Sequence, residues 1–108
     1  MGINAFSPCG NTVAFIANTT VPTPVQAVST TLGGNQYLIT NTGTVTVFLG
    51  VGNSSAQASN SAPSFTATGN SIPLLASTTQ VFSFVPNAYF TGNATSACTV
   101  YVTPGDGL

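Results

Sequence analysis

Residues 36 to 51 read Gln-Tyr-Leu-Ile-Thr-Asn-Thr-Gly-Thr-Val-Thr-Val-Phe-Leu-Gly-Val, and this stretch decides the fold class. Val45, Val47, Leu49 and Val51 recur at every second position, with Thr44, Thr46 and Phe48 between them. Period two puts each set on its own face of a strand, the pattern of a strand packed on one side. Residues 36–40 carry the same β-branched and aromatic bias. Between the two runs, Asn41-Thr42-Gly43 has the length of a three-residue loop, with glycine where a left-handed backbone is usual. The expectation is a hairpin joining strands 36–40 and 44–51.

Working outward, residues 12–17 (TVAFIA) read as a first strand ended by Asn18-Thr19-Thr20. Val21-Pro22-Thr23-Pro24 is extended, because proline fixes its own φ and restrains the residue before it. Residues 25–29 form a short second strand, placed at an edge by those prolines, and Gly33-Gly34-Asn35 turns the chain. Residues 71–76 are apolar again, with Pro73 arguing against a central strand. Residues 79–85 set Val81, Ser83 and Val85 opposite Phe82 and Phe84. Pro86-Asn87 turns into a strand at 88–91, residues 92–95 turn again, and 97–103 form the last strand, with Cys98, Val100 and Val102 opposite Ala97, Thr99 and Tyr101. Residues 52–70 are small and polar and read as a long excursion with Phe65 as its one large apolar residue. These seven or eight short strands predict an all-β fold: a small antiparallel β-sandwich or β-barrel, jelly-roll-like. The domain plan is an extended arm at 1–11 and a single β domain at 12–108.

Composition agrees. Of 108 residues, 18 are Thr, 11 Val and 4 Ile, which favour strands, while 7 Pro and 11 Gly are spread along the chain as frequent turns require. The chain has no Lys, Arg or His, and its one acid is Asp106. Phosphate-directed nucleic-acid binding and polybasic membrane attachment therefore lack their cations. Most general acids, bases and metal ligands are missing too, so no catalytic, cofactor or metal residue is assigned and no enzyme is expected. No Ser or Thr has a base partner. Asp106 between two glycines reads as a turn residue, since one carboxylate cannot supply the oxygens a calcium ion takes. Cys9 and Cys98 are read first as two small hydrophobes, with a disulfide as the alternative. The triplets at Asn18, Asn53 and Asn93 match the glycosylation pattern as chance allows in so Asn- and Thr-rich a chain. A single Thr44-Val45-Thr46 run is too little for a lattice-matching ice-binding array. The first eight residues lack a basic segment and a long apolar run, so no secretory signal is expected, and no stretch is long enough for a membrane helix.

Three further features carry a resemblance: Thr44-Val45-Thr46-Val47-Phe48-Leu49-Gly50-Val51-Gly52 followed by a small-residue excursion; Pro86-Asn87-Ala88-Tyr89-Phe90; and the closing run Thr99-Val100-Tyr101-Val102-Thr103-Pro104-Gly105-Asp106-Gly107-Leu108. Over roughly its second half the chain resembles small virion proteins of tailed bacteriophages encoded among head genes. The resemblance implies a β-structured decoration or cement protein on the capsid exterior, made in the host cytoplasm, bound to the major capsid protein and forming a homo-oligomer, with a trimer favoured. It carries over no catalytic residue. The candidate interface residues are Ile3 and Phe6 in the arm, Phe65 in the excursion, and Phe48, Phe82, Phe84, Tyr89 and Tyr101 in the strands, because aromatic groups are enriched where proteins meet. The alternative is a head-fibre, tail-fibre or spike module whose 52–70 excursion contacts a host receptor or glycan.

Overall fold

Runs rich in Thr and Val crowd a helical backbone and pack well on a pleated one. The computed structural model describes residues 7–28, 35–61 and 72–106. Within them the order is β1 (Ser7–Pro8), β2 (Val13–Ala17), β3 (Val25–Gln26), β4 (Gln36–Asn41), β5 (Val47–Gly52), α1 (Ser55–Ser61), β6 (Ile72–Leu74), β7 (Thr78–Ser83), β8 (Tyr89–Asn93) and β9 (Cys98–Asp106). One sheet has the order β1-β9-β4-β7, with β2 also on β9, and the other runs β3-β8-β5-β6; all the strand pairs are antiparallel.

β1 and β2 share one edge of β9. Pro8 faces Gly105 and Val13 faces Val102, so residues 9–12 lie opposite only 103 and 104, a bulge with two extra residues. Taken as one interrupted strand, β1 and β2 come first in the chain. The sheets then read first-eighth-third-sixth and second-seventh-fourth-fifth, the order of a jelly roll. The core lies between them: Phe15, Tyr37, Ile39, Val100 and Val102 from one sheet meet Val47, Leu49, Leu74 and Phe90 from the other. Tyr37 and Phe90 touch edge to face across the gap, ring centroids 4.7 Å apart.

The expected hairpin at 36–51 does not form. β4 pairs with β7 and β9, whereas β5 lies in the opposite sheet between β8 and β6, so residues 42–46 cross from one sheet to the other. Alternation cannot distinguish these outcomes, because a strand with one buried face has the same period in either sheet. What directs the crossing is Asn41, fully buried. Its Nδ2 donates to the carbonyls of Val45, Leu74 and Leu75, at 3.0, 3.1 and 3.3 Å, and its Oδ1 accepts from Gly43 N. Thr42 ties the start of the crossing to β9, donating through both N and Oγ1 to Thr99 O. Gly43 is needed for space rather than for a left-handed backbone: a Cβ there would lie 2.2 Å from Cys98 Sγ. Gly43→Ala is expected to cost about 2–3 kcal/mol by overpacking. In denaturant titrations, Cys98→Gly in the same chain should recover part of that loss, so the double variant falls short of the sum of the singles.

Other boundaries also move. The 52–70 excursion opens with α1 rather than a loop, while 62–70, including Phe65, lies outside the described residues. Ser54 Oγ accepts from Gln57 N at 3.2 Å, and Gln57 Oε1 accepts from Asn53 N at 2.6 Å, close to a reciprocal capping box. β8 runs on through Gly92 and Asn93, read from sequence as a turn, and β9 continues through Pro104-Gly105-Asp106. Ser7–Pro8 and Cys9, assigned to the arm, extend the sheet along β9, Cys9 N donating to Pro104 O at 3.0 Å. The two cysteines are not bonded to each other; Cys98 is buried and Cys9 half-buried. Cys98 begins β9, whereas Cys9 lies beside Pro104, six residues further along that strand and roughly 20 Å away at strand rise, which rules out a bond between them within one chain.

Candidate functional site

The two sheets differ in what covers their outer faces. On the β3-β8-β5-β6 sheet, Gly50, Thr91 and Asn93 point away from the core, alternating with inward Leu49, Phe90 and Gly92, yet all three are buried. The chain covers them itself. Thr91 Oγ1 donates to Pro22 O at 2.8 Å, and α1 packs on β5 and β8. A Cβ on Gly52 would meet Ala58 N at 2.5 Å, so only glycine allows the helix this close.

The outer face of the other sheet is open. Strand register sets Ala14, Tyr101, Thr40 and Thr79 in one row, Thr103, Leu38 and Val81 in the next, and Ile16 beside Thr99. Ile16 is 56% exposed, Val81 47% and Tyr101 45%. Threonines on this face bond each other, Thr12 to Thr103 at 2.7 Å and Thr40 to Thr79 at 3.1 Å between hydroxyl oxygens. Their hydroxyls are thus partly satisfied before any partner arrives, which lowers the cost of removing water from them. None of these side chains is charged. The result is a broad sheet surface that can be covered at little electrostatic cost, with Ile16, Leu38, Val81 and Tyr101 supplying apolar area.

A second feature lies at one end of the sandwich. A cavity of about 330 Å3 opens between the sheets, walled by Tyr37, Phe82, Phe84 and Phe90 with Val51 and Ile72, and edged by Gln57 and Ser83. Tyr37 supports this end from within. Its hydroxyl donates to Val85 O and accepts from Ala88 N at 3.1 Å, tying β4 to the turn before β8. Burial pushes the Tyr37 hydroxyl above its ordinary pKa, a backbone hydrogen bond with Ala88 opposes this, and nearby Cys9 adds to the rise. The group therefore stays protonated and able to donate.

The residues singled out from sequence scatter over three surfaces. Phe82 and Phe84 meet at the cavity, with Phe82 half-buried and Phe84 38% exposed. Tyr101 stands on the open face. Phe48 and Tyr89 are half-buried on the covered sheet, facing Asn93 and Pro73, and Gly52 and Gln26. Ile3, Phe6 and Phe65 lie outside the described residues. Sequence reasoning placed Ile16 and Val81 in strands without singling them out as interface candidates, and it missed Gln57, whose Ser-x-x-Gln spacing after Asn53 was the available signal. Among the described residues, no three His, Cys, Asp or Glu side chains come together as a metal site, and no helix is long and apolar enough to cross a membrane. No family model, curated protein or solved structure significantly matches the chain.

Proposed function

We propose that this protein is a non-enzymatic structural component of a tailed-phage virion that decorates the outer capsid by binding the major capsid protein. The observation that carries this reading is the open, uncharged face of Ile16, Leu38, Val81 and Tyr101, beside a second sheet that the chain covers with its own segments. A protein with one acid and no cationic side chain must recognise partners mainly through uncharged contacts, and the open face supplies apolar area and threonine hydroxyls. The resemblance in the second half of the sequence points the same way. The jelly-roll order adds an analogy only, since that fold serves capsids and sugar-binding domains alike.

Imaging of particles that contain the chain tests this reading: shell-wide, symmetric density is expected, and a location restricted to tail or vertex overturns it. For particles stripped of the protein, rebinding should weaken about tenfold or more when Tyr101 is changed to Asp at the centre of the face. Wild-type binding should be unchanged between about 0.1 and 1 M NaCl, over which the screening length falls from roughly 10 to 3 Å. Release by salt with the fold intact would contradict the mechanism.

The aromatic-walled cavity favours a second reading, a fibre or spike module that binds a receptor or glycan, with Gln57 as a polar contact beside Phe82 and Phe84. Loss of glycan binding in Phe82→Ala, with particle binding retained, would select it.

A further inference from the structure

A sheet edge offers unpaired N–H and C=O groups to any extended chain, and proteins blunt such edges with proline, charge, bulges or short length. Among the described residues, three of the four sheet edges are blunted. The β1/β2 edge carries Pro8 and the two-residue bulge. β3 is two residues long and follows Pro22 and Pro24, and β6 is three residues with Pro73 at its centre. β7 has none of these protections. Its six residues, Thr-Thr-Gln-Val-Phe-Ser, contain no proline, glycine or charge and pair with β4 in unbroken register. Among the described residues, no strand pairs with its other edge.

The outward backbone groups can be assigned. Phe84 N donates to Asn35 O at 2.8 Å, one step beyond the Gln36–Ser83 pair. Antiparallel ladders alternate, so Phe82, Gln80 and Thr78 also bond inward to β4, and the N–H and C=O groups of Thr79, Val81 and Ser83 point outward. These three residues are exposed, and their side chains belong to the open face.

We propose that β7 is a self-association edge, pairing antiparallel with β7 of a second copy across a two-fold axis at Val81. In this register Val81 meets Val81 and Thr79 meets Ser83, so each outward N–H and C=O of the three residues finds a partner. The occupant is a second copy because the edge is complementary to itself. Its outward-bonding residues are evenly spaced about Val81, no like charges face each other, and the exposed Val81 side chain gains a β-branched partner across the axis. Pairing joins the open faces of both copies into one surface on a continuous sheet. It would hold whatever shell or surface the protein decorates, so its failure leaves the capsid reading standing.

Sedimentation of the wild-type chain should give the mass of two copies. Val81→Lys, which places two cations across the axis, should give the mass of one, with an unchanged circular dichroism spectrum. A more specific test uses Val81→Cys in a Cys9→Ser background. Facing residues of a hydrogen-bonded antiparallel pair lie about 5.5 Å apart at Cα, within disulfide reach. Oxidation should therefore link Val81→Cys chains in pairs but not Gln80→Cys chains, whose facing residue is Phe82. A wild-type monomer, an oligomer that survives Val81→Lys, or equal cross-linking of the two cysteine variants overturns the proposal.

Discussion

Asn41→Leu is expected to cost about 3–5 kcal/mol and to lower the thermal midpoint by roughly 15–25 °C. Leucine keeps the branched shape and heavy-atom count, though not the volume, and removes all four side-chain hydrogen bonds. The carbonyls of Val45, Leu74 and Leu75 and the Gly43 N–H then lose the side chain that joins them at the point where the chain changes sheets. Asn41 is fully buried, so water cannot replace those bonds without opening the sandwich. Differential scanning calorimetry measures the shift. A midpoint within a few degrees of wild type would mean that the crossing is held by packing instead.

The second large effect is a missing one: the fold is expected to show no acid transition down to about pH 2. Acid unfolding is driven by protonating paired carboxylates and by charging buried histidines. This chain has one acidic side chain and no histidine. The alkaline side differs. The Tyr37 hydroxyl has a folded-state pKa raised above its ordinary value, so the folded protein holds that proton more tightly than the unfolded chain. Its contribution is fully present below about pH 10 and is lost as pH rises through the folded-state value. Thermal midpoints should therefore be level from about pH 2 to 9 and then decline. Tyr37→Phe should flatten that decline while costing about 1–2 kcal/mol at neutral pH through the lost bonds to Val85 and Ala88. A midpoint that falls steeply between pH 7 and 3 would refute the account.

Strand positions were largely legible in the sequence, because burial follows the alternation of Tyr37 and Ile39, or of Val100 and Val102. The edge positions of β3 and β6 were legible too, since Pro22, Pro24 and Pro73 cannot serve a central ladder. Sheet membership was not. Val47 and Leu49 have the same spacing whether they pair with β4 or face it across the core, and the bonds of Asn41 that decide this reach residues more than thirty positions away. α1 was hidden by its small polar residues, which carry little apolar periodicity. The candidate site was the least legible part. Thr91 and Thr40 look alike in sequence, yet one lies beneath the chain's own Pro22 segment and the other on the open face. Large aromatics were an incomplete guide, because Ile16 and Val81 supply much of that face.

The place of β9 has a consequence for biogenesis. It lies between β2 and β4, and although it is the last described strand, both of its neighbours were made far earlier. At about 5–20 residues per second, a ribosome finishes β4 several seconds before residues 98–106 emerge. Throughout that interval the inner edges of β2 and β4 have no β9 to close them. The sandwich therefore closes in a late step that depends on distant pairings, in the millisecond-to-second range usual for such topologies, and a nascent chain stalled before Cys98 would offer those open strands to its neighbours in a crowded cell.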